Sequence, residues 1–269
     1  MITARIRLVA LDLDGTLVGP NLTISPRVRD SIVRARAGGT EITIVTGRMF
    51  AAAKPYAQTL GITGPLVCYQ GAGIFEVATG AILRETPVRQ DVTRTVLAWA
   101  EEHHVHAQCY AGDTLYVQQI NRFSKRYTDL ARVEPKVVPS LLEAFAHQPS
   151  IKIVLVDDPG PSEEHLAALK PLLGDRAYLT RSHVDFVEVL SPEVNKGEAL
   201  AFVAQRYGAT LTETLAIGDA WNDVPLITAA GIGVAMGSGP PELFAKADAV
   251  VGDVAHDGVA EAIERYVLR

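Results

Sequence analysis

Short apolar runs alternate with helix-like segments at both ends of this chain of 269 residues. At the amino end, the run Ile6–Leu11 is followed by the helix start signal Ser25-Pro26 and then by runs at 41–45 and 66–69, which we predict to be the second and third core strands. Toward the other end, short runs at 214–217, 232–235 and 249–251 again alternate with helical patterns. Strands separated by helices favour βαβ units. We therefore predict an α/β fold with a Rossmann-like, doubly wound parallel sheet as its core.

The middle of the chain has a different texture. A helix pattern at 92–102 is followed by a hairpin pattern around Ala111-Gly112-Asp113, and further strand and helix patterns continue to residue 190. We predict a core domain formed by residues 1–84 and 191–269, and an inserted α/β cap domain, of α+β texture, over residues 85–190. The linkers Arg84–Pro87 and Leu190–Glu193 each contain a proline, and we expect them to act as hinges.

Polar residues follow the predicted core strands where each strand ends. Asp12 and Asp14 follow the first strand, Thr46 follows the second, and Asp219 follows the strand at 214–217. In open α/β sheets, ligands bind beyond the carboxyl ends of the strands. Clustered carboxylates repel one another and raise each other's pKa, so they need a cation, and oxygen ligands in an open site suit Mg²⁺. With the charge of Lys196, this set predicts a cradle for a phosphoryl group.

Each of these motifs has a simpler interpretation when it is taken alone. The DLDGTL segment is compatible with a strand and a tight turn, and the NKG segment with an ordinary helix start. Aspartate-rich loops such as GDAWND also cap helices. The order of the motifs and their positions at strand or helix ends favour a shared site.

In this order, the four motifs resemble those of the haloacid dehalogenase (HAD) superfamily. They are DLDGTL at 12–17, TGR at 46–48, NKG at 195–197 and GDAWND at 218–223. The insert lies between the second and third motifs, and its size resembles the type IIB cap of the Cof-type phosphatases. The resemblance covers most of residues 6–84 and 190–265, whereas the cap matches by position and texture only.

The resemblance implies a role for each matching acidic and basic residue. Asp12 resembles the nucleophile that becomes an aspartyl phosphate, and Asp14 resembles the general acid and base. The carboxylates of Asp12 and Asp219, with the backbone carbonyl of Asp14, resemble the Mg²⁺ ligands. Asp223 resembles a residue that supports these ligands without binding the ion itself. Lys196 resembles the cation that grips the phosphoryl group and partners Asp12.

The resemblance also implies further phosphate-binding residues. Thr46, Gly47 and Asn222 match positions that contact the phosphoryl group, and Arg48 matches one that reaches toward the substrate. Two positions depart from the family pattern, because Gln70 stands in a Gln-Gly-Ala sequence where Asn-Gly-Ala is usual, and Ser238 stands where Asn is usual.

The expected function is that of a Mg²⁺-dependent phosphatase for a small phosphate monoester, with a sugar or polyol phosphate first. Alternatives are a phosphatase for pyridoxal phosphate or a flavin-pathway intermediate, a phosphosugar mutase, and a non-catalytic phosphate-binding regulatory module. Substrate choice would belong to the insert, near whose end His183, Asp185 and Glu188 either line the mouth of the site or are surface residues of a strand. Residues of the insert that are candidates for substrate contact are Tyr116, Lys125, Arg126, Lys152, Arg181 and His183.

The composition limits which partners and which cellular compartment we expect for this protein. The net charge of −6 argues against a nucleic-acid partner, which needs a basic face. No run is long enough for a membrane span or for the core of a signal peptide, and two cysteines are too few for a disulfide framework. We expect a cytoplasmic protein without a membrane or nucleic-acid partner, and no sequence feature indicates an oligomeric state.

Overall fold

The computed structural model describes residues 5–158, 160–181 and 184–268. Its strands are Leu8–Leu11 (β1), Glu41–Ile44 (β2), Pro65–Cys68 (β3), Gly73–Glu76 (β4), Ile82–Glu85 (β5), His106–Ala111 (β6), Thr114–Val117 (β7), Lys136–Val137 (β8), Lys152–Val156 (β9), Tyr178–Thr180 (β10), Phe186–Leu190 (β11), Thr214–Gly218 (β12), Ile232–Met236 (β13) and Ala249–Val251 (β14). Its helices are Pro26–Ala37 (α1), Phe50–Thr59 (α2), Gln90–Glu102 (α3), Arg122–Ala131 (α4), Leu141–Ala144 (α5), Pro161–Leu173 (α6), Lys196–Arg206 (α7), Val224–Ala229 (α8), Pro241–Phe244 (α9) and Gly258–Tyr266 (α10).

The chain divides into two compact units. The first unit comprises Met1–Gly47, Ala53–Leu83 and Asn195–Arg269, and the second comprises Arg48–Ala52 and Arg84–Val194. The predicted linkers at 84–87 and 190–193 overlap the ends of β5 and β11. None of the helices in the described ranges is long and apolar enough to cross a membrane.

A five-stranded parallel sheet forms the centre of the first unit. Its order is β14-β13-β12-β1-β2, and every neighbouring pair is parallel. β1 lies between β12 and β2 and is fully buried, as expected for a strand covered on both faces. The helices α1 and α10 contact each other, and so do α7 and α8. The predicted α/β core with a parallel sheet is therefore confirmed.

The sequence predicted a third core strand at 66–69, and the structure places it in a different sheet. β3 pairs antiparallel with β4 in a separate three-stranded sheet of order β3-β4-β5. A single parallel bridge between Val45 and Val67 brings β3 alongside the extension of β2. This arrangement follows from chain length, because the few residues between β3 and β4 permit a hairpin but no parallel crossover.

The second unit is built on a six-stranded sheet of order β10-β11-β9-β6-β7-β8. Its strand pairs are antiparallel except for the parallel pair β7–β8. One face packs against α3, α5 and α6, where Val96, Phe145 and Leu169 form an apolar cluster with Ile153 of β9. On the other face, Tyr127 of α4 lies edge-to-face on Tyr110 of β6, with ring centroids 5.6 Å apart.

Candidate active site

Three neighbouring strands of the first unit carry the candidate site at their carboxyl ends. Asp12 follows β1, Thr46 follows β2 by two residues, and Asp219 follows β12. The backbone amide of Asp12 donates to the carbonyl of Ile217 at 2.9 Å, which continues the β1–β12 pairing to the site. Because parallel strands end at the same edge of a sheet, these residues lie together although 207 positions separate the first from the last.

Lys196 is the first residue of α7, and its side chain extends into the site. Asn195 caps this helix, because its side-chain oxygen accepts hydrogen bonds from the backbone amides of Gly197 and Glu198 at 2.9 and 3.0 Å. A Cβ on Gly197 would lie 2.5 Å from the carbonyl oxygen of Pro225, so only glycine permits the contact between the start of α7 and α8. The cap and this close packing fix the position from which the Lys196 side chain extends.

The ammonium group of Lys196 bridges two carboxylates. Its Nζ lies 2.5 Å from Oδ1 of Asp12 and 2.6 Å from Oδ1 of Asp223, and it is completely buried. Although burial opposes the charged form, the two carboxylates raise the pKa of Lys196 above its usual value. Lys196 therefore carries a fixed positive charge next to Asp12.

Asp223 has both of its oxygens engaged within the protein. Oδ1 accepts from Lys196, and Oδ2 accepts from the backbone amides of Asp219 and Ala220 at 3.0 Å each. A Cβ on Gly218 would lie 2.4 Å from the Cβ of Asp223, so glycine is required for this approach. Asp223 thus organises the loop after β12 and holds Lys196.

Asp219 is held by a residue of the first motif that the sequence analysis did not single out. The hydroxyl of Thr16 donates to Oδ1 of Asp219 at 2.8 Å. Gly15 has a φ of +85°, and a Cβ there would lie 2.2 Å from Oδ2 of Asp219. The turn after Asp14 therefore leaves space for the Asp219 carboxylate only because residue 15 is glycine. The sequence contains a signal for this arrangement, because a glycine and a hydroxyl-bearing residue directly follow Asp14.

The electrostatics of the site favour a cation. Asp12, Asp219 and Asp223 each offer a carboxylate oxygen, and these atoms lie within 4.8 Å of one another. Burial, followed by repulsion from Asp223, raises the pKa of Asp12 well above its usual range, and the same causes raise the pKa of Asp219 to about 7. One ammonium does not balance three carboxylates, and the remaining charge of minus two matches a divalent cation.

Two of the phosphate-binding candidates, Thr46 and Asn222, are buried in the first unit. Thr46 is 1 % exposed, and its backbone amide and carbonyl bond to the backbone of Val67 and Gln70. Asn222 is also buried in the first unit, and its side-chain amide donates to Oε1 of Gln70 at 3.0 Å. Gln70 was noted in the sequence only as a departure from the family pattern, and no sequence signal pairs it with Asn222.

Asp14 and Arg48 complete the predicted set. Asp14 lies in the turn after β1 and is partly exposed. Arg48 is 4 % exposed and belongs to the second unit, so it is the one predicted site residue outside the unit that holds the acidic cluster.

Several of the residues that were candidates for substrate contact are engaged in ion pairs within the second unit. Lys152 and Glu188 form a buried pair with 3.3 Å between Nζ and Oε2. Arg126 pairs with the buried carboxylate of Asp185, and Arg181 lies 3.0 Å from Glu163.

The remaining three candidates have different positions. Tyr116 is partly exposed and meets Phe145 edge-to-face, and Lys125 is exposed on α4. His183 lies outside the described residues.

Comparison with known proteins places the chain among phosphatases. A family model described as haloacid dehalogenase-like hydrolase matches residues 9–263. The chain is 29% identical to the pyridoxal phosphate phosphatase YbhA of Escherichia coli K12, over 97% of this chain and 99% of that protein. It is 28% identical to the 5-amino-6-(5-phospho-D-ribitylamino)uracil phosphatase YitU of Bacillus subtilis, over 96% of this chain and 97% of that protein. A haloacid dehalogenase-like hydrolase structure from Bacteroides thetaiotaomicron, 27% identical, superposes with a TM-score of 0.85 over 97% of this chain and 99% of its own.

Proposed function

The chain belongs to the haloacid dehalogenase-like hydrolase family, and on that premise we propose that it is a Mg²⁺-dependent phosphatase acting on a small phosphate monoester. The observation that carries the proposal is the buried contact of 2.5 Å between Lys196 and Asp12, next to the carboxylate of Asp219. This arrangement holds a carboxylate beside a fixed positive charge, as nucleophilic attack on a phosphoryl group requires.

The residues present fit a magnesium ion. Asp12 and Asp219 offer carboxylate oxygens, and the family resemblance adds the backbone carbonyl of Asp14, so the donor set consists of hard oxygen atoms. Asp223 supports this set through Lys196 and the backbone of the Asp219 loop. When bound, Mg²⁺ would neutralise the carboxylates and the charge on the phosphoryl oxygens.

In the proposed reaction, Asp12 and Asp14 divide the chemistry between them. A carboxylate oxygen of Asp12 attacks phosphorus, the bond from phosphorus to the ester oxygen breaks, and Asp14 gives its proton to the leaving alcohol. Asp14 then takes a proton from water while the water oxygen attacks phosphorus. The bond between phosphorus and Asp12 breaks, which releases inorganic phosphate and restores both carboxyl groups.

The other site residues bind and orient the phosphoryl group. We assign phosphate binding to Lys196, to Thr46 with Gly47, and to Asn222, and we retain Arg48 as a residue that reaches the substrate. We further propose that residues 85–190 form the cap domain that selects the substrate, with residues 1–84 and 191–269 as the catalytic core. Under this proposal, the partly exposed Tyr116 and the exposed Lys125 are the first insert residues to test for substrate contact.

The substrates to be tested follow from the sequence and from the relatives. Sugar and polyol phosphates remain the first class, and the names of two relatives add pyridoxal phosphate and a phosphoribitylamino uracil. These last two are phosphate esters of primary alcohols attached to a nitrogen heterocycle. A panel with all three chemistries therefore tests both the reaction and the class of leaving group.

The experiment measures phosphate release from this panel with and without Mg²⁺, for the wild type and for Asp12→Asn. We expect Mg²⁺-dependent release by the wild type and at least a thousandfold loss in Asp12→Asn, since an amide is a poor nucleophile. Failure of the wild type to release phosphate from any ester, or full activity of Asp12→Asn, would refute the proposal.

Product analysis and acid-quench labelling of the same reactions separate the mutase and the regulatory module from a phosphatase. A phosphosugar mutase would convert one sugar phosphate into its isomer with little free phosphate. A regulatory module would keep a phosphoryl group on Asp12 for minutes without turnover.

The proposed setting is the cytoplasm, with no nucleic-acid partner. Cys68 and Cys109 are buried and form no disulfide, which accords with a reducing compartment. The net charge of −6 supports a small anionic substrate bound at a local cationic site rather than a polyanion bound over a broad basic face.

A further inference from the structure

The segment after β3 has an unusual backbone. Tyr69, Gln70 and Gly71 have φ angles of 53°, 61° and 103° in succession. Residues with side chains rarely adopt this left-handed conformation, and it costs on the order of 1 kcal/mol or more for each of them. The amide of Gln70 donates to the carbonyl of Thr46 at 3.0 Å, so the unusual conformation holds Gln70 next to the strand end that carries Thr46.

The side chain of Gln70 lies between two of the phosphate-binding candidates. It is 1 % exposed, and its Oε1 accepts the hydrogen bond from Nδ2 of Asn222 at 3.0 Å. On its other side, a Cβ on Gly47 would lie 2.4 Å from Nε2 of Gln70. The carboxamide of Gln70 therefore packs directly on Gly47 and reaches Asn222.

Asn222 has one end of its carboxamide paired and the other end unpaired. Nδ2 is bonded to Gln70, whereas Oδ1 is buried and has no hydrogen-bond partner among the described residues. A buried acceptor without a partner costs about 1–3 kcal/mol, so the Asn222 amide gains little from the protein except through Gln70. The orientation of that amide then depends on Gln70.

We propose that Gln70 is a positioning residue that orients the carboxamide of Asn222 for phosphate binding. The inference rests on the proposed function, because it assumes that Asn222 contacts the phosphoryl group. The side chain of Gln70 spans the distance from the segment after β3 to Asn222, where its Oε1 accepts the hydrogen bond from Nδ2.

A double-mutant cycle distinguishes positioning from direct contact with phosphate. If Gln70 acts only through Asn222, its loss has no further effect once the Asn222 amide is removed. If Gln70 contacts the phosphate itself, its loss weakens binding equally in both backgrounds.

The experiment measures the binding of inorganic phosphate by calorimetry in the presence of Mg²⁺, together with kcat and KM, for Gln70→Met, Asn222→Ala and the double variant. Methionine keeps the length of glutamine but cannot form the hydrogen bond. We expect Gln70→Met to bind phosphate about tenfold more weakly than the wild type, with a parallel fall in kcat/KM, and to cause no further loss on the Asn222→Ala background. Unchanged phosphate binding in Gln70→Met, or an equal loss in both backgrounds, would overturn the inference.

Two further variants keep the test interpretable. If Gln70→Met does not fold, Gln70→Ala takes its place in the same cycle with the same expectation. Gln58→Met alters an exposed glutamine of α2 in the first unit and should leave phosphate binding unchanged. A wild type that neither binds phosphate nor hydrolyses esters would overturn the proposed function together with this inference, whereas normal phosphate binding in Gln70→Met overturns the inference alone.

Discussion

The ammonium nitrogen of Lys196 lies 2.5 Å from Oδ1 of Asp12, across 184 residues of sequence. This contact brings together the first and third sequence motifs. The same nitrogen also lies 2.6 Å from Oδ1 of Asp223, which belongs to the fourth motif. Lys196 is thus the only basic group within 4.0 Å of these two carboxylates in the described part of the chain. Both the stability and the proposed chemistry of the site depend on it.

Replacing Lys196 by methionine should damage activity and stability together. The variant leaves two buried carboxylates without their cation, and we expect the free energy of unfolding to fall by about 3–5 kcal/mol. Phosphatase activity should fall by about a hundredfold to a thousandfold, because a fixed charge at the phosphoryl group is lost. Denaturant unfolding and steady-state kinetics measure the two effects. Lys246→Met, which changes an exposed lysine of the same unit, is the matched control, and equal behaviour of the two variants would contradict the account.

The glycine after Asp14 should be required for metal binding. In Gly15→Ala, the added methyl group would collide with the carboxylate of Asp219, so we expect at least a tenfold weaker affinity for Mg²⁺ in a calorimetric titration. Gly39→Ala is a close control because Gly39 has the same φ of +85° and its Cβ would meet only Arg5, at 3.5 Å. Both variants should lose stability because alanine is strained at this φ, whereas only Gly15→Ala should lose Mg²⁺ affinity.

Magnesium should reverse the effect of Asp219→Asn on stability. Without Mg²⁺, the substitution removes one of three mutually repelling carboxylates, so the variant should be at least as stable as the wild type at pH 8. With Mg²⁺ at about a hundred times its Kd, the wild type should gain about 2.7 kcal/mol, and the variant should gain little. Thermal unfolding with and without Mg²⁺ tests this. Asp30→Asn, on the exposed face of α1, should follow the wild type. An equal gain in Asp219→Asn would show that the cation binds elsewhere.

The second unit should lose stability below neutral pH because of His106. Burial lowers the pKa of His106 to about 4, while its unfolded value lies near 6.5. Between these two values the unfolded state binds more protons than the folded state, so stability falls as the pH drops from 6.5 to 4. After a discount for partial exposure, the loss amounts to about 2 kcal/mol.

His106→Gln tests this pH dependence. The variant should show a flatter stability profile over that interval in denaturant unfolding, whereas His147→Gln, at an exposed histidine, should retain the wild-type slope. An unchanged slope in His106→Gln would contradict the assignment.

The sequence was sufficient to predict the core sheet and its acidic edge for a physical reason. Parallel strands that alternate with helices end at one edge, so acids that follow β1 and β12 must meet there. The capped start of α7 likewise made Lys196 visible as a residue at a helix terminus.

The parts of the site that the sequence did not predict depend on long-range packing. Nothing local indicates that Gln70 reaches Asn222, because the contact depends on positive φ angles at 69–71. The same holds for Lys152, a candidate for substrate contact whose buried pairing with Glu188 depends on the order of strands in the second sheet. Strand order is set by tertiary contacts that periodicity alone does not encode.

The proposed covalent role of Asp12 can be tested most directly by acid quench during turnover, followed by mass spectrometry of the peptides. Asp14→Asn should accumulate the intermediate with an activated ester, such as an aryl phosphate, because that leaving group needs little protonation whereas the second step still needs a base. We expect a phosphorylated peptide modified at Asp12 in Asp14→Asn, and no modified peptide in Asp12→Asn. Steady phosphate release by the wild type with no modified peptide in Asp14→Asn, or with the phosphoryl group on another residue, would contradict it.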